Sequence, residues 1–183
     1  MIVIGYTKGI GKAIYDTLEC SGVGISEGCD ISIPRQRIDL VTQCVSHDVI
    51  ILNAFDTKNR NAQLETFFEL YKAFKDLDKT IIVIGSCSQD SWRDTDGEYQ
   101  SYKAAIDYAT ANASRHRNKC KIVNIRLGHT ATKSNLKPKR KNKSIDPFSV
   151  PELIKSILSM PKDMLVTEVT VLPSRQGVTD AII

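Results

Sequence analysis

The alternation of short apolar runs with amphipathic stretches constrains the fold more than any other feature of the sequence. Six runs have the length and composition of β-strands: Met1–Ile4, Val23–Ser26, Asp48–Ala54, Thr80–Gly85, Lys121–Leu127 and Thr167–Leu172. Five stretches between them suit helices: Gly9–Cys20, Pro34–Val45, Asn61–Leu77, Gly97–Ser114 and Pro151–Met160. Several of the strands are apolar almost throughout, which is typical of strands covered on both faces. We therefore predict an α/β fold, a doubly wound parallel sheet of about six strands flanked by helices.

The length and composition of the chain are those of one globular domain. It has 183 residues, of which 42% are apolar, so we expect a single domain over 1–183 with a substantial core. No apolar run approaches the ~20 residues of a membrane span, and the opening strand-like segment argues against a signal peptide. The five cysteines lie far apart without a CxxC pair, which favours free thiols over zinc or disulfides. These features predict a cytoplasmic protein without a metal or a membrane partner.

A glycine-rich turn lies between the first predicted strand and the first predicted helix. It has the sequence Gly5-Tyr-Thr-Lys-Gly9-Ile-Gly11. Glycines let the backbone approach a pyrophosphate, and a helix N-terminus supplies free N–H groups and a partial positive charge. The turn therefore predicts a dinucleotide site, although glycines can also serve a tight turn alone.

A serine, a tyrosine and a lysine have the spacing of a proton-transfer site. Tyr99 and Lys103 lie four residues apart on a predicted helix and so share one face. An ammonium near a phenol favours the phenolate, lowers the tyrosine pKa and allows proton exchange with a carbinol oxygen. Ser86 ends a predicted strand, where sites form in doubly wound sheets, and its hydroxyl could hold a carbonyl oxygen. The alternatives are a solvated helix face and a turn-forming serine.

Taken together, these features resemble the short-chain dehydrogenase/reductase family. The motifs that carry the resemblance follow one another along nearly the whole chain: Gly5-x-x-x-Gly9-Ile10-Gly11, Cys29-Asp30-Ile31, Leu52-Asn53-Ala54-Phe55, Ile84-Gly85-Ser86, Tyr99-Gln-Ser-Tyr-Lys103, Leu127-Gly128-His129-Thr130-Ala131-Thr132 and the closing strand before Pro173. The resemblance implies hydride transfer between a nicotinamide and a carbonyl or alcohol. It makes Tyr99 the acid/base, Lys103 the ligand of the nicotinamide ribose and Ser86 the group that orients the carbonyl. For the family's catalytic asparagine, Asn61 is the nearest candidate and Asn59 the next.

The same resemblance assigns the binding residues. The residues expected to contact the cofactor are Gly5, Thr7, Lys8, Gly9, Ile10, Gly11, Ser26, Asp30, Ile31, Asn53, Ala54, Phe55, Tyr99, Lys103, Gly128, Thr130 and Thr132. Those expected to contact substrate are Ser86, Ser88, Gln89, Trp92 and His129, of which Trp92 and His129 could equally be packing residues. Lys8, directly before Gly9, favours NADP, whereas Glu27 near the end of the second strand favours NAD. We expect NADP, with NAD as the alternative.

The sequence also departs from the family pattern. Between Gly24 and Asp30 there is no room for the family's usual helix and third strand, so we expect one helix–strand crossover to be missing after the second strand. Phe55 stands where the family has a glycine close to the cofactor. Leu52 and Leu127 replace an asparagine and a proline. We therefore expect a more open adenine side and an altered environment around the cofactor.

The positive charge is concentrated in one part of the chain. The net charge is only +4, yet eleven of the 25 lysines and arginines lie between Asp107 and Asp146, where there is no acidic residue. Residues 128–147 lack periodicity and suggest a long loop, at the place where the family has a substrate lid. The cations of Lys133–Lys143 could attract an anionic substrate or the cofactor phosphates, contact nucleic acid, or be merely solvated.

Two other functions remain open beside an oxidoreductase. One is an NAD(P)-binding sensor without turnover, which would have no chemical need of Ser86, Tyr99 and Lys103. The other is a nucleic-acid-binding protein, which the absence of aromatic residues within the basic run argues against. The family habit further predicts a homodimer or homotetramer acting on a small carbonyl or alcohol substrate.

Overall fold

The computed structural model describes residues 1–90, 97–132 and 144–174. The strands are β1 (Ile2–Ile4), β2 (Ser21–Val23), β3 (Val49–Leu52), β4 (Thr80–Ser86), β5 (Lys121–Leu127) and β6 (Glu168–Val171). The helices are α1 (Gly9–Leu18), α2 (Pro34–Cys44), α3 (Ala62–Phe74), α4 (Glu98–Arg115) and α5 (Ser149–Leu158), and short 3-10 turns cover Ile25–Glu27 and Ser88–Asp90. No helix in this part of the chain is both long and apolar enough to cross a bilayer. Trp92 and the basic segment Lys133–Lys143 lie outside the described residues.

The strands form one parallel sheet in the order β2-β1-β3-β4-β5-β6. The chain first moves outward from β1 to β2 and then returns to the other side of β1 to form β3. The strand order therefore reverses beside β1, and the carboxyl ends of β1 and β3 border the crevice where ligands bind in doubly wound sheets. The predicted α/β doubly wound fold is confirmed.

The missing crossover leaves β2 at the edge of the sheet. After β2 the chain makes the 3-10 turn Ile25–Glu27 and continues to α2, and no strand lies beyond β2 among the described residues. The predicted position of the second strand, Val23–Ser26, is wrong by about two residues. Ile2 and Ile4 pair with Ser21 and Val23, so the strand ends where it was expected to begin. The segment Ser21–Gly22 has no apolar pattern that could have revealed it.

Helices cover both faces of the sheet and bury its apolar side chains. Ile50 and Ile81 belong to the layer beneath α2, α3 and α4, whereas Ile51 and Ile82 belong to the layer beneath α1 and α5. Successive residues of each strand alternate between these two layers, as the pleat requires. The central strands are consequently rigid supports for the residues that follow their carboxyl ends.

Candidate active site

The glycine turn between β1 and α1 is built by close backbone contacts. Gly5 and Gly9 have φ angles of +83° and +58°, a region that favours glycine. A Cβ added to Gly5 would lie 2.7 Å from the Cα of Ala54, and one added to Gly11 would overlap the carbonyl oxygen of Gly5. A side chain at Gly5 or Gly11 would therefore clash with the neighbouring backbone.

Residues that follow β3 and β5 complete the surroundings of this turn. Asn53 donates a side-chain hydrogen bond of 2.8 Å to the carbonyl oxygen of Gly5. A Cβ on Gly9 would lie 3.3 Å from Cγ2 of Thr132, so this threonine borders the turn from the other side. The structure thus brings together Gly5, Gly9, Gly11, Asn53, Ala54 and Thr132, as the sequence predicts.

The start of α1 can accept a pyrophosphate. Lys8, which precedes the helix, is extended and makes no side-chain cap, and the first turn of α1 contains no acidic residue. The helix therefore presents backbone N–H groups and the positive end of its dipole without a competing carboxylate in its first turn. Together with the glycine cradle, this arrangement fits the phosphates of a dinucleotide.

Other residues of the predicted cofactor set lie in different environments. Thr7, Lys8 and Ser26 are exposed. Ile31 is buried in the core, and the half-buried Ile10 packs against the core layer beneath α1. The side chain of Asp30 accepts a hydrogen bond of 2.9 Å from the backbone N–H of Ser32. Gly128 is half-buried, and its carbonyl oxygen accepts a hydrogen bond of 3.1 Å from the hydroxyl of the buried Thr130.

A tyrosine–glutamate pair stands at the open edge beside β2. The Tyr6 hydroxyl donates a 2.7 Å hydrogen bond to Glu27, and the Tyr6 ring covers Gly22 so closely that a Cβ there would lie 2.5 Å from it. This hydrogen bond is the main reason why the pKa of Glu27 lies below its usual value. The pair places an ionised carboxylate just beyond β2, where dinucleotide-binding folds contact the adenosine ribose. The sequence analysis did not identify Tyr6 as the partner of Glu27, although this tyrosine lies within the glycine turn.

Ser86 and Tyr99 are joined by a hydrogen bond at the carboxyl end of β4. The Ser86 hydroxyl also accepts the backbone N–H of Ser88 at 3.1 Å. Partial burial raises the pKa of Tyr99 above its ordinary value, and the hydrogen bond with Ser86 opposes this rise. The expected lowering of the Tyr99 pKa by Lys103 is therefore not found, and at neutral pH Tyr99 is a phenol that can donate a proton.

Lys103 lies one turn further along α4 and is almost completely buried. Its side chain donates a 2.7 Å hydrogen bond to the amide oxygen of Gln63, and Nζ lies 4.5 Å from the centroid of the Phe55 ring. The distance from Nζ to the centroid of the Tyr99 ring is 5.7 Å. Burial lowers the pKa of Lys103 to about 8, while the charge of Asp107 opposes this shift. The ammonium is thus directed toward Gln63 on α3.

The expected role of Asn61 is not supported by its position. Asn61 is exposed immediately before α3, and no hydrogen bond joins its side chain to Lys103 among the described residues. Asn59 donates instead to the carbonyl of Ser32, at 3.5 Å. Helical residues two positions apart point roughly 200° apart, so α3 cannot bury Gln63 and turn Asn61 inward at once. Gln63, which the sequence analysis did not identify, is the residue of α3 that contacts Lys103.

The predicted substrate residues are only partly described. Ser88 begins the 3-10 turn after Ser86, and His129 is half-buried with its carbonyl accepting the N–H of Ile145 at 2.8 Å. Trp92 lies outside the described residues, and of Gln89 only the backbone is described. Ser88 and His129 therefore each lie two residues beyond the carboxyl end of a strand, β4 and β5 respectively.

An ion-pair network joins the segment after Ser86 to α4 through Arg126 on β5. Arg126 on β5 pairs with Asp90 at 2.6 Å and with Asp107 at 2.8 Å. Asp107 lies one turn beyond Lys103, and Asp90 ends the 3-10 turn that follows β4. The network consequently fixes the distance between α4 and the strand end that carries Ser86.

Comparisons with known proteins identify the fold. No protein-family model matches the sequence, and no curated protein sequence matches it either. An alcohol dehydrogenase from Thermococcus sibiricus, complexed with 5-hydroxy-NADP, has a TM-score of 0.73 at 17% identity, over 94% of this chain and 96% of that chain. Serine dehydrogenase from Escherichia coli has a TM-score of 0.73 at 15% identity, with 100% of both chains covered. A short-chain dehydrogenase from Burkholderia cenocepacia in complex with NADP has a TM-score of 0.73 at 16% identity, over 93% and 94% of the two chains.

The chain therefore has the short-chain dehydrogenase/reductase fold that its motifs predict. Its six-stranded sheet and flanking helices match those of the dehydrogenases, although the identities of 15–17% establish the fold alone.

Proposed function

We propose that this chain is an NAD(P)-dependent oxidoreductase of the short-chain dehydrogenase/reductase family, acting on a carbonyl or alcohol substrate. The observation that carries the proposal is the hydrogen bond between Ser86 and Tyr99, with Lys103 one helical turn away. This group stands at the same end of the sheet as the glycine turn. A proton donor and a dinucleotide cradle thus share one crevice.

Because its pKa is raised, Tyr99 is protonated at neutral pH, and this is the form that donates a proton in carbonyl reduction. A reduced nicotinamide held beside Ser86 and Tyr99 would supply the hydride that the carbonyl carbon needs. Tyr99 donates its phenolic proton to the carbonyl oxygen, which gives the alcohol, and the phenolate then regains a proton from solvent. Ser86 orients the carbonyl oxygen through its hydroxyl. Lys103 stabilises the transient phenolate and holds the ribose of the cofactor.

The preferred cofactor in this proposal is NADP. Lys8 is exposed within the glycine turn, directly before Gly9, where we expect its ammonium to reach a 2′-phosphate. Glu27 would oppose that phosphate, but one of its oxygens already accepts the Tyr6 hydroxyl. Two of the similar structures were solved with NADP or an NADP derivative, which supports the same choice.

An assay of NADPH and NADH oxidation with a panel of aldehydes and ketones tests the proposal. The purified chain should consume at least one carbonyl, and Tyr99→Phe should remove this activity. Tyr108→Phe is the matched control, because Tyr108 lies on the same helix with 77% of its surface exposed. Tight dinucleotide binding with no turnover of any carbonyl or alcohol would overturn the oxidoreductase proposal and favour an NAD(P)-binding sensor.

A further inference from the structure

Gln63 and Lys103 form a buried polar pair between α3 and α4. The relative exposures of the two residues are 3% and 4%. The lysine donates to the amide oxygen of Gln63 at 2.7 Å, and the amide nitrogen donates to the carbonyl oxygen of Ile84 at 3.2 Å. A carbonyl oxygen can only accept, so the side-chain nitrogen of Gln63 must face Ile84 and its side-chain oxygen must face Lys103. The orientation of Gln63 is thereby fixed by β4, two residues before Ser86.

The other groups around the ammonium are weaker partners. The rings of Phe55 and Tyr99 offer only their faces or edges to Nζ. Asp107 acts on the charge of Lys103 from the next turn of α4, but its carboxylate pairs with Arg126 and accepts the Asn124 amide, each at 2.8 Å. Among the described residues, Gln63 is thus the direct hydrogen-bond acceptor of the ammonium.

We propose that Gln63 is a positioning residue that holds Lys103 as an ammonium beside Tyr99. This inference rests on the proposed function, in which the charged lysine serves the phenolate and the ribose. A neutral acceptor suits this task because it stabilises the charge by a hydrogen bond and leaves the net charge of the pair positive. A carboxylate at the same position would neutralise the ammonium and bind it more firmly to α3.

Two substitutions at position 63 should shift the pKa of Lys103 in opposite directions. Gln63→Leu removes the hydrogen bond to the charged form and should lower the pKa of Lys103 by about one unit. Gln63→Glu supplies a negative charge and should raise it. Gln43→Leu on α2 is the control, since Gln43 donates instead to the sulfur of Cys29. If Gln63→Leu fails to fold, the direction of the shift in Gln63→Glu decides the question.

Two measurements on the full chain separate this inference from the proposed function. In the cofactor-free protein, NMR of ε-carbon-labelled lysine gives the pKa of Lys103, with Lys103→Met identifying its signal. The second measurement is the pH dependence of NADPH affinity and of turnover. The pH at which both fall should be lower in Gln63→Leu and higher in Gln63→Glu than in wild type. An active protein whose Lys103 pKa and pH profile are the same in wild type and Gln63→Leu overturns the role of Gln63 alone. A wild-type chain that binds neither NADPH nor NADH overturns the proposed function and this role with it.

Discussion

The ring of Phe55 meets the ring of Tyr99 edge to face, with the two centroids 5.4 Å apart and the planes at 84°. The same ring lies 4.5 Å from the ammonium of Lys103. Because Lys103 is almost fully buried, a ribose hydroxyl can reach its ammonium only after a covering side chain has moved. Phe55, which replaces a glycine of the family pattern, lies over the ammonium and is the side chain that we expect to move.

Replacement of Phe55 by alanine should therefore strengthen cofactor binding. Loss of a cation–π contact between Phe55 and Lys103 removes a competitor worth about 1–2 kcal/mol, so NADPH affinity should rise by roughly fivefold to thirtyfold. Fluorescence titration with NADPH measures the change, and Phe148→Ala at the start of α5 serves as a control with an exposed ring. Weaker binding by Phe55→Ala would mean that the ring instead stacks on the cofactor.

Lys103 should make the stability of the protein depend on alkaline pH. Its pKa is about 8 in the folded chain and 10.5 ordinarily, so between these values the unfolded chain binds more protons and the folded state gains stability as pH rises. In Lys103→Met this gain is absent. Urea unfolding of both proteins should show a change of roughly 3 kcal/mol in their stability difference, in favour of wild type, from pH 7.5 to 10.5. If the stability difference between wild type and Lys103→Met stays constant over this pH range, the pKa of Lys103 is not lowered by burial.

The choice between NADP and NAD should depend on two exposed side chains at the adenosine end. Lys8→Ala should weaken NADPH binding by about threefold to tenfold and leave NADH binding unchanged, because only NADPH carries the 2′-phosphate. Glu27→Gln should strengthen NADPH binding by removing a like charge. Parallel calorimetric titrations with both cofactors measure these effects. Equal losses of both affinities in Lys8→Ala would show that this lysine does not distinguish the cofactors.

Alanine at Gly11 should destabilise the chain and abolish dinucleotide binding. Its Cβ would overlap the carbonyl oxygen of Gly5 and lie 2.5 Å from the Asn53 amide nitrogen, so we expect a loss of about 1–3 kcal/mol in the free energy of unfolding. Gly24→Ala is the control, since its Cβ would meet only a Glu27 oxygen at 3.8 Å. Thermal unfolding and NADPH titration measure the two effects. Normal binding by Gly11→Ala would place the cofactor away from this turn.

The fold could be predicted because its central strands are nearly all apolar and its helices have a clear period. The edge strand β2 was misplaced because Ser21 and Gly22 carry no apolar signal, and their position depends on pairing with β1. The proximity of Tyr99 and Lys103 could be predicted from spacing, since residues four apart share a helix face by local geometry alone.

Gln63 could not be identified in the same way, because its partner lies on another helix. The buried stripe of α3 contains Gln63, Phe67, Leu70 and Phe74, whereas Phe68 is exposed. A polar residue in register with that stripe was the available signal. The raised pKa of Tyr99 was equally beyond the sequence, because it is caused by burial, which depends on how the elements pack in three dimensions.

The most direct test of the oxidoreductase proposal compares wild type and Tyr99→Phe in NADPH binding and carbonyl reduction. Phenylalanine keeps the ring contact with Phe55 but removes the proton donor. We predict unchanged NADPH affinity and a fall in turnover by about 10²–10⁴-fold, the usual contribution of a general acid. Turnover within tenfold of wild type, or a parallel loss of NADPH binding, would contradict the assignment of Tyr99 as the proton donor.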